Sequence, residues 1–302
     1  MGGSLEQFCG DYLTENIRGV VLSAAGDINE IRLRVNRPLS LTINGKEKLK
    51  SESIVTAEDI KKIMELMTDY SVYAFEDDIR NGYITLKGGH RVGVSGQAAV
   101  EDGRVKALKN INGLNIRIAH EIIGCADSIM EFIARPTLKN TLVISPPGCG
   151  KTTLVRDIAR QLSNGTSFAK GKNVAICDER SELAGSYMGV PQNDIGQRTD
   201  VLDGAPKSHG MLAMVRSISP HVVVADEIGR KEDVTAICEI INSGVKLLCS
   251  VHGTDIEDVS RKPFLSELIK MKLFELFIVL KHAGKPGVIT GVYDADGNGL
   301  MK

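Results

Sequence analysis

The chain of 302 residues has room for roughly two domains of about 100–200 residues each. Its 42% hydrophobic and 25% charged residues can build packed cores. The 37 Lys and Arg against 38 Asp and Glu give a net charge of −1, which excludes a global basic field for nucleic acid and leaves only local patches.

In chain order, Leu5, Phe8, Leu13, Ile17, Val20 and Val21 recur near helical spacing and predict a helix over 5–24. In INEIRLRVNRPLSLTINGK, Ile31, Leu33 and Val35 alternate with Arg32, Arg34 and Asn36, the pattern of a half-buried strand. Leu39, Leu41 and Ile43 predict a second strand, and Asn44-Gly45 is a hairpin signal. Thr56 to Met67 reads as a helix with Thr56 as N-cap and Asp59 at the capping-box position. Strands follow at Tyr83–Leu86, Val92–Ser95 and Leu114–Ile118, so residues 1–120 read as an α+β domain. The glycines of GGHRVGVSG lie among strand residues and read as hairpin glycines, not as a nucleotide loop.

After Glu121 strands alternate with helices. A helix is expected over Ala126–Ala134, and strands at Thr141–Ser145, Asn173–Cys177, His221–Ala225, Lys246–Val251 and Phe274–Lys281. Leu154, Val155, Ile158, Ala159 and Leu162 share a helix face, and Asp233 to Ile241 forms another helix ended by Gly244. Continuous apolar strands with interleaved helices imply a mainly parallel sheet covered on both sides over 121–302. The six cysteines form no C-x-x-C pair and several sit in apolar runs, which reads as reduced core residues. No apolar run approaches the ~20 residues of a membrane helix, and no secretory leader pattern is visible.

The chemistry concentrates in this second section. SPPGCGKTT matches the phosphate-loop pattern except that Ser145 holds the place of the first glycine. It follows the strand TLVIS and opens a helix, the setting such a loop requires. Pro147, Gly148, Cys149, Gly150, Lys151, Thr152 and Thr153 are the candidate nucleotide-binding residues. Backbone N–H groups from Gly148 onward would face the phosphates, Lys151 would reach the β and γ phosphates, and Thr152 would ligate Mg²⁺. A serine that only ends the strand leaves this cradle open. In HVVVADEIGR an apolar strand delivers Asp226, which would hold Mg²⁺ through water, and Glu227, expected to point the other way, as the residue that polarises the attacking water. AICDERSEL ends another strand with Asp178, Glu179 and Arg180, and CSVHGTD ends a third with His252, a candidate sensor of the γ-phosphate. Arg91, Arg117, Arg198, Arg216 and Arg230 are candidates for an arginine shared between ring neighbours.

EIRLRVNRPL, GYITLKGGHRVGVSG, LNIRI, SPPGCGKTT, CDERSEL and SPHVVVADEIGR occur in this order and together resemble the stage III sporulation protein AA family of endospore-forming bacteria, from about Ile28 onward. That family is similar to the traffic ATPases of type II and type IV secretion and of pilus machines. The resemblance implies an α/β fold with a C-terminal RecA-like P-loop NTPase domain, a mainly parallel sheet flanked by helices, behind a smaller N-terminal α+β domain. It implies a homo-hexameric ring, ATP and Mg²⁺ as ligands with nucleotide between the domains, and ATP hydrolysis that drives a secretion-like channel. It also implies a mother-cell cytoplasmic location, docked peripherally on a membrane complex through stage III sporulation protein AB. By the family pattern CDERSEL is the acidic box, which puts Glu179 with Thr152 and Asp226 around the metal, and SVHGTD is the histidine box, which puts His252 beside Lys151 and Glu227 among the catalytic residues. Secretion relatives usually carry Gly-Glu where this chain has Asp226-Glu227, which leaves the Mg²⁺ ligand open. Two other classes stay open. Arg32, Arg34, Arg37 and Lys46 to Lys50 would suit a nucleic-acid-remodelling ATPase, and a nucleotide-gated scaffold would need no hydrolysis.

Overall fold

The computed structural model describes residues 5–71, 75, 79–80, 82–282 and 288–301. The chain forms two compact units. The first comprises Met1–His120 together with Gly185–Gln192, and the second Glu121–Ala184 with Asn193–Lys302.

The first unit begins with helices Leu5–Tyr12 and Glu15–Leu22 where the periodicity predicts one. The break comes at Thr14, whose extended backbone (φ −62°, ψ 153°) opens the second helix. Phe8, Cys9, Leu13, Ile17 and Val21 are nonetheless all buried, so one apolar stripe runs through both helices. Strands β1 (Ile28–Arg34), β2 (Pro38–Ile43) and β3 (Lys46–Ile54) follow. Helix Ala57–Met67 comes next, then β4 (Tyr83–Thr85), β5 (Arg91–Glu101) and β6 (Arg104–Arg117). The helix carries the capping box, with Thr56 Oγ1 accepting from the Asp59 N–H and an Asp59 oxygen accepting from the Thr56 N–H.

The six strands form an antiparallel sheet in the order β3-β2-β1-β6-β5-β4. Asn44 and Gly45 turn β2 into β3 with φ of 51° and 75°, the two positive values a tight hairpin of this twist requires. Inward residues Ile31 and Leu33 oppose Ile116 and Leu114 and pack beneath the helices. The alternate residues Glu30, Arg32 and Arg34 oppose Arg117, Asn115 and Gly113, and Arg117 in turn opposes Arg91. One sheet face is therefore core and the other polar. The basic stretch Lys46 to Lys50 belongs to the exposed edge strand β3, where lysines discourage edge-to-edge pairing. His90 is core: it lies edge-on to Phe8, its Nδ1 accepts the Ala119 N–H at 3.1 Å, and burial, with His120 nearby, pushes its pKa down to about 4. Within Gly185–Gln192, Tyr187 and Val190 exchange backbone hydrogen bonds around Met188 and Gly189. Tyr187 stacks on Phe75, and Gln192 Oε1 accepts the Gly88 N–H.

In the second unit come helix Met130–Ala134, β7 (Thr141–Ser145), helix Lys151–Asn164, the short pair β8 (Gly165–Thr166) and β9 (Ala169–Lys170), and β10 (Val174–Asp178). Then follow β11 (Thr199–Asp203), helix Lys207–Ile218, β12 (Val222–Ala225), helix Lys231–Asn242 and β13 (Lys246–His252). Helices Ile256–Ser260 and Leu265–Lys270, β14 (Leu276–Leu280) and β15 (Ile289–Asp294) complete it. The seven-stranded sheet runs β11-β10-β12-β13-β7-β14-β15, parallel throughout except for β15 against β14. Both faces are covered: Val143, Ile176 and Val224 pack into one core, and Leu142, Ile144, Val223 and Leu247 into the other. The expected helix over 126–134 is helical only from Met130; the residues before it form turns, with the Asp127 N–H on the Gly124 carbonyl and the Ile129 N–H on the Ala126 carbonyl, and the Ala126 N–H donates to Asp157 Oδ2 at 2.8 Å. Helix Lys207–Ile218 and strand β11 appear where the sequence pattern predicted neither. Among the described residues no helix is long and apolar enough to cross a membrane.

Candidate functional site

Strand order assembles the site. β13 lies between β12 and β7, so the residues that end these three strands meet at one edge of the sheet. Ser145 is the last residue of β7. It is fully buried, its hydroxyl donates to the Pro146 carbonyl at 2.8 Å, and its own carbonyl accepts the Gly253 N–H at 3.1 Å. The loop then turns through Gly148 (φ 73°) and Gly150 (φ 84°), left-handed positions suited to glycine, and helix Lys151–Asn164 starts with no side-chain cap. Cys149 is buried beside the Pro147 carbonyl. The first-turn N–H groups of this helix, from Lys151, Thr152 and Thr153, thus form an anion-directed terminus.

Lys151 is the hub. Its side chain is 5% exposed, and Nζ donates to Asp226 Oδ1 at 2.5 Å, Ser250 Oγ at 3.1 Å and Glu227 Oε1 at 3.4 Å. Thr152 Oγ1 donates to Asp226 Oδ2 at 2.7 Å, and the Ser250 hydroxyl donates to Asp226 Oδ1. Burial raises the Asp226 pKa, but the Lys151 charge and the hydrogen bonds from Lys151, Ser250 and Thr152 outweigh it and hold the carboxyl below its usual range.

Glu227 differs from expectation. In a continuing strand it would point away from Asp226, but β12 ends at Ala225 and Glu227 adopts φ 55°. A left-handed non-glycine residue costs about 1–3 kcal/mol and persists only where its surroundings hold it. Here the Glu227 N–H donates to Asp226 Oδ1 (3.0 Å) and Ser250 Oγ (2.9 Å), and its carbonyl accepts from Lys207 Nζ at 3.0 Å. The turn brings its carboxylate back to Lys151, to His252 Nε2 at 2.7 Å and to Arg180 Nη1 at 3.5 Å.

The loop after β10 closes one side. Asp178 accepts the N–H groups of Glu182 (2.9 Å), Leu183 (2.9 Å) and Ala184 (2.8 Å). Burial pushes its pKa up to about 6 against those hydrogen bonds. Arg156, one turn along the helix from Thr152, donates to the Leu183 carbonyl at 2.6 Å and the Glu182 carbonyl at 2.7 Å, so the loop is tied to the phosphate-loop helix. Glu179, an expected metal ligand, pairs instead with Lys207 at 3.0 Å and Arg230 at 3.4 Å. Among the described residues, Glu182, Asp226 and Glu227 have carboxylate oxygens within 4.8 Å of one another. Ser250, Lys207, Glu182 and Arg156 escaped the sequence reading. Ser250, Lys207 and Glu182 lie on segments that meet Lys151 and Asp226 only through the strand order, whereas Arg156 shares the helix of Lys151 and stands outside the phosphate-loop motif.

The arginine candidates are dispersed. Arg198 and Arg216 precede β11 and β12, at the edge from which the parallel strands start, opposite the ends that carry Lys151 and Asp226. Arg198 Nη1 bonds the Ser163 carbonyl at 3.0 Å. In the first unit, Arg117 reaches Glu30 at 3.9 Å and Arg91 lies 4.1 Å over the Tyr83 ring.

The family described as "Sporulation stage III, protein AA" matches residues 8–300. The chain belongs to this family. Stage III sporulation protein AA of Bacillus subtilis (strain 168) is 42% identical over 276 residues, which span 91% of this chain and 90% of that protein. Two solved structures share the fold at low identity. The Legionella pneumophila ATPase DotB has a TM-score of 0.55 at 14% identity, covering 87% of this chain and 74% of its own. The pilus retraction motor PilT, solved with bound ADP, has a TM-score of 0.58 at 14% identity, covering 92% and 78%. The chain therefore shares the fold of these two proteins, a RecA-like α/β unit that follows the antiparallel-sheet unit in sequence.

The residues fit a nucleotide with a hard cation. An uncapped helix terminus with two left-handed glycines suits phosphate, and the Thr152 hydroxyl and Asp226 carboxylate, 2.7 Å apart, form the oxygen donor set Mg²⁺ takes.

Proposed function

We propose that this family member binds ATP with Mg²⁺ and hydrolyses it, as the motor of a secretion-like channel complex at the membrane between mother cell and forespore. The observation that carries the ATPase reading is the convergence of Lys151, Thr152, Asp226, Glu227 and Ser250 at the ends of three adjacent strands. Membership of the sporulation family supports the setting. The proposed assembly is a homo-hexamer docked on stage III sporulation protein AB, with Arg91, Arg117, Arg198 or Arg216 of one copy completing the site of the next.

In the proposed reaction a water oxygen bonds to the γ phosphorus while the bond from that phosphorus to the β–γ bridging oxygen breaks. ADP leaves, and the water's proton passes to Glu227. Pro147 and Cys149 shape the loop, and the N–H groups from Gly148 to Thr153 hold phosphate oxygens. Lys151 brings its charge to the β and γ phosphates, and His252, hydrogen-bonded to Glu227, reports on the γ position. Bound Mg²⁺, held by Thr152 and Asp226, would neutralise charge on the β and γ oxygens.

Phosphate release by the full chain with ATP and Mg²⁺ tests this. Glu227→Gln should cut turnover by about 100-fold or more, the range of a lost general base, while ATP binding persists. Unchanged turnover in this variant would remove Glu227 as the base. Stimulation by single-stranded nucleic acid, with binding that falls steeply with salt, would overturn the motor reading.

A further inference from the structure

Glu227 stands in an unfavourable backbone conformation at the point where the proposed reaction needs its carboxylate. Two of its three backbone constraints come from residues already at the site, Asp226 and Ser250, acting on its N–H. The third comes from elsewhere. Lys207 is the first residue of helix Lys207–Ile218, its side chain is only 10% exposed, and Nζ lies 3.0 Å from both the Glu227 carbonyl oxygen and Glu179 Oε2. A nearly buried ammonium rarely goes unused, and this one bridges the loop after β10 and the loop after β12.

The fold delivers Lys207 deliberately close. Gly210, one turn into the helix, sits so near β10 that a Cβ there would run into the Cys177 sulfur. The Cys177 thiol donates to the Lys207 carbonyl at 3.6 Å. A larger residue at position 210 would lift the helix start and withdraw Lys207 from Glu227.

We propose that Lys207 is a positioning residue for Glu227: by holding the Glu227 carbonyl and the Glu179 carboxylate together, it keeps Glu227 in the left-handed turn that aims its carboxylate at the reacting water. Lys207 itself touches no reacting atom. The inference rests on the ATPase reading with Glu227 as base. Its signature is a loss of turnover that depends on Glu227 being present.

The experiment is a double-mutant cycle in the full chain, with phosphate release measured at saturating ATP and Mg²⁺. Lys207→Met should lower kcat by about 10-fold or more with KM within about threefold, because the ground-state contacts to nucleotide remain. Lys207→Arg, which keeps a donor and the charge, should recover most of the loss. In a Glu227→Gln background, Lys207→Met should change the residual rate by less than about twofold, since residues that act as a unit are not additive. Multiplicative losses would show that Lys207 acts independently and would overturn the proposal, as would an unchanged kcat in Lys207→Met. Should Lys207→Met fold poorly, Gly210→Ala supplies the second arm: it keeps Lys207 but displaces it, and the same Glu227-dependent loss is expected. If Glu227→Gln itself leaves turnover intact, the ATPase assignment of Glu227 has failed, and that outcome is distinct from failure of the Lys207 inference.

Discussion

The two large sheets of this molecule treat charge in opposite ways. On the antiparallel sheet, Glu30 pairs with Arg32 at 2.8 Å on an open face, with the side chains 21% and 37% exposed. On the parallel sheet, Lys151 pairs with Asp226 at 2.5 Å, with side chains 5% and 11% exposed. The separations are similar; the surroundings are not. A sheet with one face in the core can carry ions on the other face with less desolvation, although even there the Arg32 Nε is buried. A sheet covered on both faces can carry ions only at its strand ends, and there they are desolvated and must be partnered. The chemistry of the second unit therefore gathers at one edge, and each ion there has a large effect on its neighbours.

The sharpest way to break this contrast is to remove one member of the buried pair. Lys151→Met should destabilise the chain by about 3–5 kcal/mol, because it strands Asp226 as an uncompensated buried charge. Asp226 has a pKa held below its usual range, so its stabilising contribution is present above the unfolded pKa and is lost as pH falls through the folded value. Lys151→Met should abolish that acid-side loss. Adding Asp226→Asn to Lys151→Met should recover part of the stability. Urea unfolding of the three variants from pH 3 to 7 measures this, and a double variant as damaged as the sum of the singles would show the pair is not coupled.

Asp178 sharpens the contrast within the same edge, since its buried carboxylate faces backbone N–H groups instead of an ammonium. Asp178→Asn sets an amide nitrogen against N–H donors and should cost about 1–3 kcal/mol. Here the sign of the pH effect reverses. A folded pKa raised to about 6 means that the wild type gives up stability as pH rises from the unfolded value of 3.8 to that point, while the variant does not titrate. The gap between wild type and Asp178→Asn should narrow from pH 4 to pH 7. A gap that widens would show that the three hydrogen bonds outweigh burial.

The same contrast explains what could be read in advance. TLVIS and VVVA are continuous apolar runs, legible as buried parallel strands, and the alternation of Ile31 and Leu33 with Arg32 and Arg34 is legible as a one-sided sheet. Asn44-Gly45 marks the turn into β3, but the extent of β3 is not legible because KEKLKSESI is an exposed edge with no apolar alternation, and Leu49 is itself 61% exposed. Helix Lys207–Ile218 was missed because Ser208, His209 and Gly210 blur its first turn. With it went Lys207. At the candidate site, the phosphate loop and the Asp226-Glu227 pair are sequence-local and stand out. Ser250 and Lys207 are not, because only the β12-β13-β7 order and the close seat of Gly210 bring them in. The turn at Glu227 was also hidden, since strand alternation gives no sign of a positive φ.

The smallest expected effect is at the open face. Glu30 touches Arg32 and, at 3.9 Å, Arg117, so a count of contacts alone would rank it with Asp226. Arg117 is 65% exposed and Arg32 37%, far more than Lys151, and Glu30→Ala should cost less than about 1 kcal/mol in low salt. That cost should fade toward zero in about 0.5 M NaCl, where the screening length is only a few ångströms. The Lys151 effect should persist under the same salt, because its pair is shielded from ions by the protein itself. A Glu30→Ala loss above about 2 kcal/mol, insensitive to salt, would mean that this face is covered in solution. Its arginines would then be buried ions in need of partners, and the difference between the two sheets would vanish.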